Sequence, residues 1–149
     1  LNTNASRPEV FRKVVEAGLD SVRVSLNSVL KAHYEPYYQP RGYTFEDVLQ
    51  CMRIARDRGI LIHLNYLHVP GWNDRQEEVE ALIGVLAEFD VNMVQMRNLN
   101  IDPDLYATQV TMPGGEALGM FTLLETIRRR APGVRIGNHT LPRRALARK

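Results

Sequence analysis

Ile60-Leu61-Ile62-His63-Leu64-Asn65-Tyr66-Leu67-His68-Val69, bounded by Gly59 and by the pair Pro70-Gly71, is the stretch that decides the fold. Ile60, Ile62, Leu64 and Tyr66 alternate with Leu61, His63, Asn65 and Leu67. A period of two ending at a Pro-Gly turn reads as a strand. Upstream, Thr44 and Asp47 form a capping box for a helix with Phe45, Val48, Leu49, Met52 and Ala55 on one stripe and Gly59 at its end. Cys51 falls off that stripe. Downstream, Asn73 or Asp74 caps a helix defined by Val79, Leu82, Ile83, Leu86 and Phe89, and Val91 to Leu99 reads as the next strand. Farther out, Ser6 and Glu9 make a second capping box, with Pro8 in the first turn of a helix that carries Val10, Val14 and Ala17 and stops at Gly18. Val22 to Asn27 follows as a short strand with Val22, Val24 and Leu26 on one face. A last helix spans about Glu116 to Arg130, with Leu118, Phe121, Leu124 and Ile127 inward, before a short strand at Val134-Arg135-Ile136. Tyr34, Tyr37 and Tyr38, with Pro36 and Pro40, read as an aromatic loop that packs as a lid or loop core.

Strands separated by helices with tight turns imply parallel βαβ units, hence an α/β fold. A doubly wound sheet is the alternative, but no G-x-G-x-x-G loop follows any strand. The reading is therefore a partial (β/α) barrel, a parallel sheet of about three to five strands with helices on its convex side. A full barrel takes about 250 residues, and this chain has 149. They form a single domain with 24% charged and 44% hydrophobic residues. Such a chain buries roughly 70% of its unfolded surface, enough for a core without disulfides or metal. No apolar run approaches the roughly 20 residues of a membrane helix, which sets a cytoplasmic expectation. Residues 128–149 carry eight basic side chains and no acid, against 11 basic and 17 acidic in the rest. This basic segment lacks interleaved aromatics, so it reads as a solvated terminus and nucleic acid is not an expected partner.

Parallel strands covered on both faces are almost wholly apolar. These strands break that rule in register: Arg23, Ser25 and Asn27 on one, His63 and Asn65 on the next, Gln95 and Arg97 on the third. Each set lies toward the carboxyl end of its strand, where barrels and open α/β sheets bind ligands. Singly, Ser25 also reads as a small core residue, His63 as a satisfied interior histidine and Arg97 as half of an ion pair. Together, seven polar residues on three aligned faces would be costly in a dry core, so a wet, ligand-binding concave face is expected. No glycine-flanked nucleophile elbow is present, Cys51 reads as inert, and the four histidines show no metal-ligand spacing. Asp102 and Asp104, around Pro103, read as turn residues, with a general acid or base as the alternative.

The order of several short motifs resembles the radical S-adenosylmethionine enzymes. Leu1-Asn2-Thr3-Asn4-Ala5 is similar to the "TNG" end of that family's third strand, and Val24-Ser25-Leu26-Asn27 to its fourth. His63-Leu64-Asn65 with Pro70-Gly71-Trp72-Asn73-Asp74 resembles the fifth strand and its loop, and Gln95-Met96-Arg97-Asn98-Leu99-Asn100 the sixth. Gly42-Tyr43-Thr44-Phe45-Glu46-Asp47-Val48 adds a likeness to the branch of the molybdenum-cofactor biosynthesis A protein and the pyruvate-formate-lyase activators. The resemblance spans about Leu1 to Asn100. It implies that Ser25, Asn27, Met96 and Arg97 contact the cofactor S-adenosylmethionine, and that Thr3, Asn4, His63 and Asn65 fall where substrate is met. It also implies a [4Fe-4S] cluster that cleaves the cofactor reductively, giving a 5′-deoxyadenosyl radical for hydrogen abstraction.

Two departures qualify it. The family's C-x-x-x-C-x-x-C loop and its G-G-E run are absent, and Cys51 is the only cysteine. Ala5 also stands where the family has glycine. Together with a start at Leu1 in a polar run, this sets the expectation of a piece of a longer enzyme, from the end of the third strand onward. The cluster ligands would then lie outside this chain, the metal ligands within it would be none, and the isolated chain would be inactive, with weak cofactor affinity. A small-molecule or peptide substrate is expected, no membrane, and a homo-oligomer is open through exposed sheet edges. Two rival classes are a non-catalytic binding domain using the basic tail, and an aldolase-like barrel. The latter lacks a strand lysine for a Schiff base.

Overall fold

Five strands form one wholly parallel sheet in the computed structural model, whose described residues are 1–138. The elements run β1 (Asn2–Thr3), α1 (Pro8–Glu16), β2 (Ser21–Leu26), α2 (Lys31–Tyr38), α3 (Phe45–Asp57) and β3 (Leu61–His68). They continue with α4 (Gln76–Glu88), β4 (Met93–Asn98), α5 (Pro103–Gln109), α6 (Gly119–Arg130) and β5 (Arg135–Ile136). The spatial order β1-β2-β3-β4-β5 follows the chain, with every neighbour parallel. A doubly wound sheet reverses strand order at a switch point. Sequential order with helical connections is instead a stretch of β/α barrel.

Register assigns the two faces, because residues paired across parallel strands point the same way. Thr3, Val24, Leu64 and Val94 form one row, and Val22, Leu26, Ile62 and Tyr66 share their face. This face is the core. It is closed by Phe11 and Val15 of α1, Val48, Met52 and Ala55 of α3, Val79, Leu82 and Leu86 of α4, and Leu123 and Ile127 of α6. A smaller cluster of Leu67, Val69, Tyr106 and Val110, with Tyr37, Trp72 and Leu99 against it, sits at the carboxyl end of the sheet. Tyr106 packs edge-on to Trp72 with ring centroids 5.8 Å apart.

Several local expectations need correction. At α1 the cap position is Arg7 with no side-chain cap, so Ser6 and Glu9 do not close a box. Its buried face is Phe11 and Val15, while Val10 is half exposed and Ala17 exposed. In α3 the Thr44–Asp47 box is present, with Asp47 Oδ2 accepting from Thr44 N at 2.7 Å. Cys51, however, lies in the core rather than off the stripe. Neither Asn73 nor Asp74 caps α4, because both fold the preceding loop: Val69 N donates to Asn73 Oδ1 and Gly71 N to Asp74 Oδ1. Segments read as loop or turn are the helices α2 and α5, the latter capped by Asp102, which accepts from Asp104 N and Leu105 N. In α6 the buried residues are Leu123, Thr126 and Ile127, and Phe121 is 87% exposed. Of the basic segment, Arg130 pairs with Glu80, whereas Arg143, Arg144, Arg148 and Lys149 lie outside the described residues.

Candidate functional site

The sheet face opposite the core carries two polar rows. Asn2, Arg23, His63, Met93 and Arg135 form one, and Ser25, Asn65 and Gln95 the next toward the carboxyl end. Leu67 and Arg97 follow above them. Here a cleft of about 540 Å³ opens, lined by Ser25, Asn65, Met96 and Arg97 with Tyr37 and Tyr38 of α2 at its rim. Alternation along β2, β3 and β4 puts Ser25, Asn65 and Arg97 on this face, whereas Met96, in register with Tyr66, lies in the core-side row and only borders the cleft.

The expected contacts divide. Ser25, Asn65 and Arg97 face the cleft, and Met96 borders it from the core-side row. His63 lies one row below on the same face and is 1% exposed, its pKa lowered by burial, then by Arg23 and the chain's amino terminus. Asn27 does not share this opening. It lies past the end of β2, fully buried, donating from Nδ2 to the His33 carbonyl at 2.9 Å while its own carbonyl accepts from Asn73 Nδ2. The strand ends at Leu26, so period-two counting no longer holds at Asn27. Thr3 is in register with Val24 and therefore on the helix side, where its Oγ1 accepts from Ala5 N at 3.0 Å. Asn4 is exposed beyond β1. Ala5 adopts φ +54°, a left-handed conformation that favours glycine, which gives a backbone reason for the glycine in the resembled motif.

Sequence reasoning missed two sets of residues. Asn2 is on the polar face, and its Oδ1 accepts from Asn65 Nδ2 at 3.3 Å. Alternation from Thr3 would have found it. The second set surrounds Glu78, which has no exposed surface and accepts from Ser28 Oγ at 2.6 Å, Val29 N at 2.8 Å and Tyr66 OH at 2.5 Å. His33 Nδ1 stands 3.8 Å from it. This carboxylate ties α4 to β3 and to the loop that follows β2. The phenols of Tyr37 and Tyr38 are pushed up by burial, so they are neutral at physiological pH.

The radical SAM superfamily model matches residues 1–83, and the chain belongs to that superfamily. Among solved structures it resembles a radical SAM methyltransferase from Sphaerobacter thermophilus, with 18% identity and a TM-score of 0.59 over 91% of this chain and 38% of that one. It also resembles HydG, described as a maturase of the [FeFe]-hydrogenase, with 19% identity and a TM-score of 0.66 over 98% of this chain and 34% of that one. At these identities the likeness concerns the fold. No curated protein matches the chain. The chain spans little more than a third of the length of either solved structure.

The family implies S-adenosylmethionine and a [4Fe-4S] cluster, and the donors present fit the two differently. Cluster ligation takes several thiolates, whereas Cys51 is the single cysteine and is buried in the core. Burial, then Asp47, pushes its thiol up to about 12. No group of three or more His, Cys, Asp or Glu among the described residues is placed to hold a metal ion. The cluster therefore does not fit this chain. The cleft does fit a polar organic ligand, because Ser25 and Arg97 line it and Asn65 Oδ1 is buried there without a hydrogen-bond partner among the described residues. Among the described residues no helix is long and apolar enough to cross a membrane.

Proposed function

We propose that this chain forms the adenosine- and substrate-facing part of a radical S-adenosylmethionine enzyme, with cluster ligands supplied from outside this sequence. The observation that carries the reading is the convergence of Ser25, Asn65 and Arg97 on one cleft at the carboxyl ends of parallel strands, with Met96 bordering it. In the complete site the cofactor's chemistry is reductive cleavage to a 5′-deoxyadenosyl radical that takes a hydrogen atom from the substrate. The residues here bind and orient. Ser25 offers a hydroxyl to the nucleoside, and Met96 a polarizable surface for its base. Arg97 is exposed, with no carboxylate in ion-pair distance among the described residues, and is available to anionic groups. Asn65 and His63 face a small-molecule or peptide substrate. The sequence pattern favours the branch of the molybdenum-cofactor biosynthesis A protein and the pyruvate-formate-lyase activators. A cytoplasmic setting and self-association through the edges at β1 and β5 belong to the same proposal.

Calorimetric titration of the chain with S-adenosylmethionine tests this division of labour. A few hydrogen bonds, each worth about 0.5–1.5 kcal/mol net, act against several kcal/mol of lost rigid-body freedom, so roughly millimolar affinity is expected. A saturating one-to-one isotherm at micromolar cofactor would mean that the chain binds the cofactor completely by itself. Absence of binding at tens of millimolar would remove the cleft from consideration and leave a non-catalytic binding domain.

A further inference from the structure

Three buried polar atoms on the sheet's polar face have no hydrogen-bond partner among the described residues: His63 Nε2, Asn65 Oδ1 and Gln95 Oε1. Gln95 is 5% exposed and His63 1%. Buried acceptors are nearly always paired, so the two amide oxygens on one face call for a bound donor. Asn65 and Gln95 are direct cross-strand partners on β3 and β4. Adjacent strands lie about 4.8 Å apart. A nitrogen that donates two hydrogen bonds of about 2.9 Å each spans acceptors roughly 5 Å apart, so one N–H2 group can serve side chains on neighbouring strands.

Charge decides which kind. Strands β2, β3 and β4 carry no Asp or Glu at all, and their polar face carries Arg23 and Arg97. An ammonium ion would find no carboxylate on these three strands and the exposed Arg97 guanidinium nearby. A neutral donor meets no such penalty. We propose that Asn65 and Gln95, with His63 in the row beneath, form the substrate-recognition subsite for a neutral N–H2 group, either a carboxamide or a ring-bound amine. Gln95 is then a specificity-determining residue. The inference rests on the polar face being the ligand site, as the proposed function has it. The cofactor's adenine also bears a ring-bound amine, so cofactor and substrate are separated by experiment.

The test is nuclear magnetic resonance titration of the chain with three probes: nicotinamide, nicotinic acid and 5′-deoxyadenosine. Nicotinamide should move the side-chain amide resonances of Asn65 and Gln95, while nicotinic acid, lacking the N–H2, should leave Gln95 unmoved. Gln95→Leu should weaken nicotinamide about 3- to 10-fold, the loss of one ordinary hydrogen bond, and leave 5′-deoxyadenosine unchanged. Gln95→Glu keeps the acceptors and should retain nicotinamide, which preserves the test if the leucine variant does not fold. Equal perturbation of Gln95 by nicotinic acid, or unchanged nicotinamide affinity in Gln95→Leu, would overturn the proposal. Competition between 5′-deoxyadenosine and nicotinamide at Gln95 would assign the subsite to the adenine and overturn the substrate assignment. If 5′-deoxyadenosine leaves Ser25 and Met96 untouched while nicotinamide still moves Gln95, the proposed function fails and the subsite stands.

Discussion

Glu78 looks, in sequence, like an ordinary acid in the first turn of a helix, where the helix dipole favours negative charge. Its neighbours in space are what give it weight, because a fully buried carboxylate that accepts from a serine, a backbone N–H and a tyrosine leaves three stranded donors if removed. Glu78→Ala should therefore cost on the order of 3–5 kcal/mol in urea unfolding, with Glu78→Gln losing less. A loss below about 1 kcal/mol for the alanine variant would show that the network is not formed. Nothing in a single sequence links positions 28, 66 and 78, so this part of the site was illegible. His63, by contrast, was visible from its alternation with Ile62 and Leu64. Burial lowers the pKa of His63, first by desolvation, and the same holds for His68. Both are therefore neutral in the folded state at pH values where the unfolded chain, at about 6.5, begins to bind protons. Stability is full above that value and falls as pH drops from about 6.5 through the lowered folded values. The urea midpoint measured from pH 8 to pH 5 should decline on the acid side, and His63→Gln should flatten part of the decline. A midpoint that rises on acidification would contradict the assignment.

At the scale of elements, β2, β3 and β4 were readable because each must send alternate residues into the helix layer, which leaves a period of two in the chain. The Thr44–Asp47 box was readable for a similar reason, being a local interaction between residues three apart. Helix α2 was not, since Pro36 and three tyrosines within eight residues resemble loop chemistry. Its tyrosines instead stack into a cluster, with Tyr34 and Tyr38 centroids 4.5 Å apart. Helix α6 shows the limit of counting. Two apolar stripes overlap there, one through Leu118, Phe121 and Leu124 and one through Leu123 and Ile127, and only tertiary packing selects the second. Phe121→Ser should accordingly change thermal stability little, within about 0.5 kcal/mol. Leu123→Ala, at a site with no exposed surface, should cost about 2–5 kcal/mol. The reverse order of these two effects would mean that α6 is rotated on the sheet.

For the molecule as a whole, one asymmetry organises everything: five parallel strands in sequential order, an apolar face closed by four helices, and a face opposite it that carries the polar rows. The strand rows and the cleft at their carboxyl ends were foreseeable from alternation, whereas Asn27 and Thr3 were misplaced where the strands stop or where face and position were confused. Family membership rests on the match over residues 1–83, and the single cysteine, buried in the core, does not by itself make a cluster site. The most direct measurement is chemical-shift mapping of 5′-deoxyadenosine on the isotopically labelled chain. The account predicts saturable shifts at Ser25, Met96 and Arg97, with the helix-side residues Thr3, Val24 and Leu64 unmoved. Shifts confined to the helix face, or none at tens of millimolar nucleoside, would contradict it.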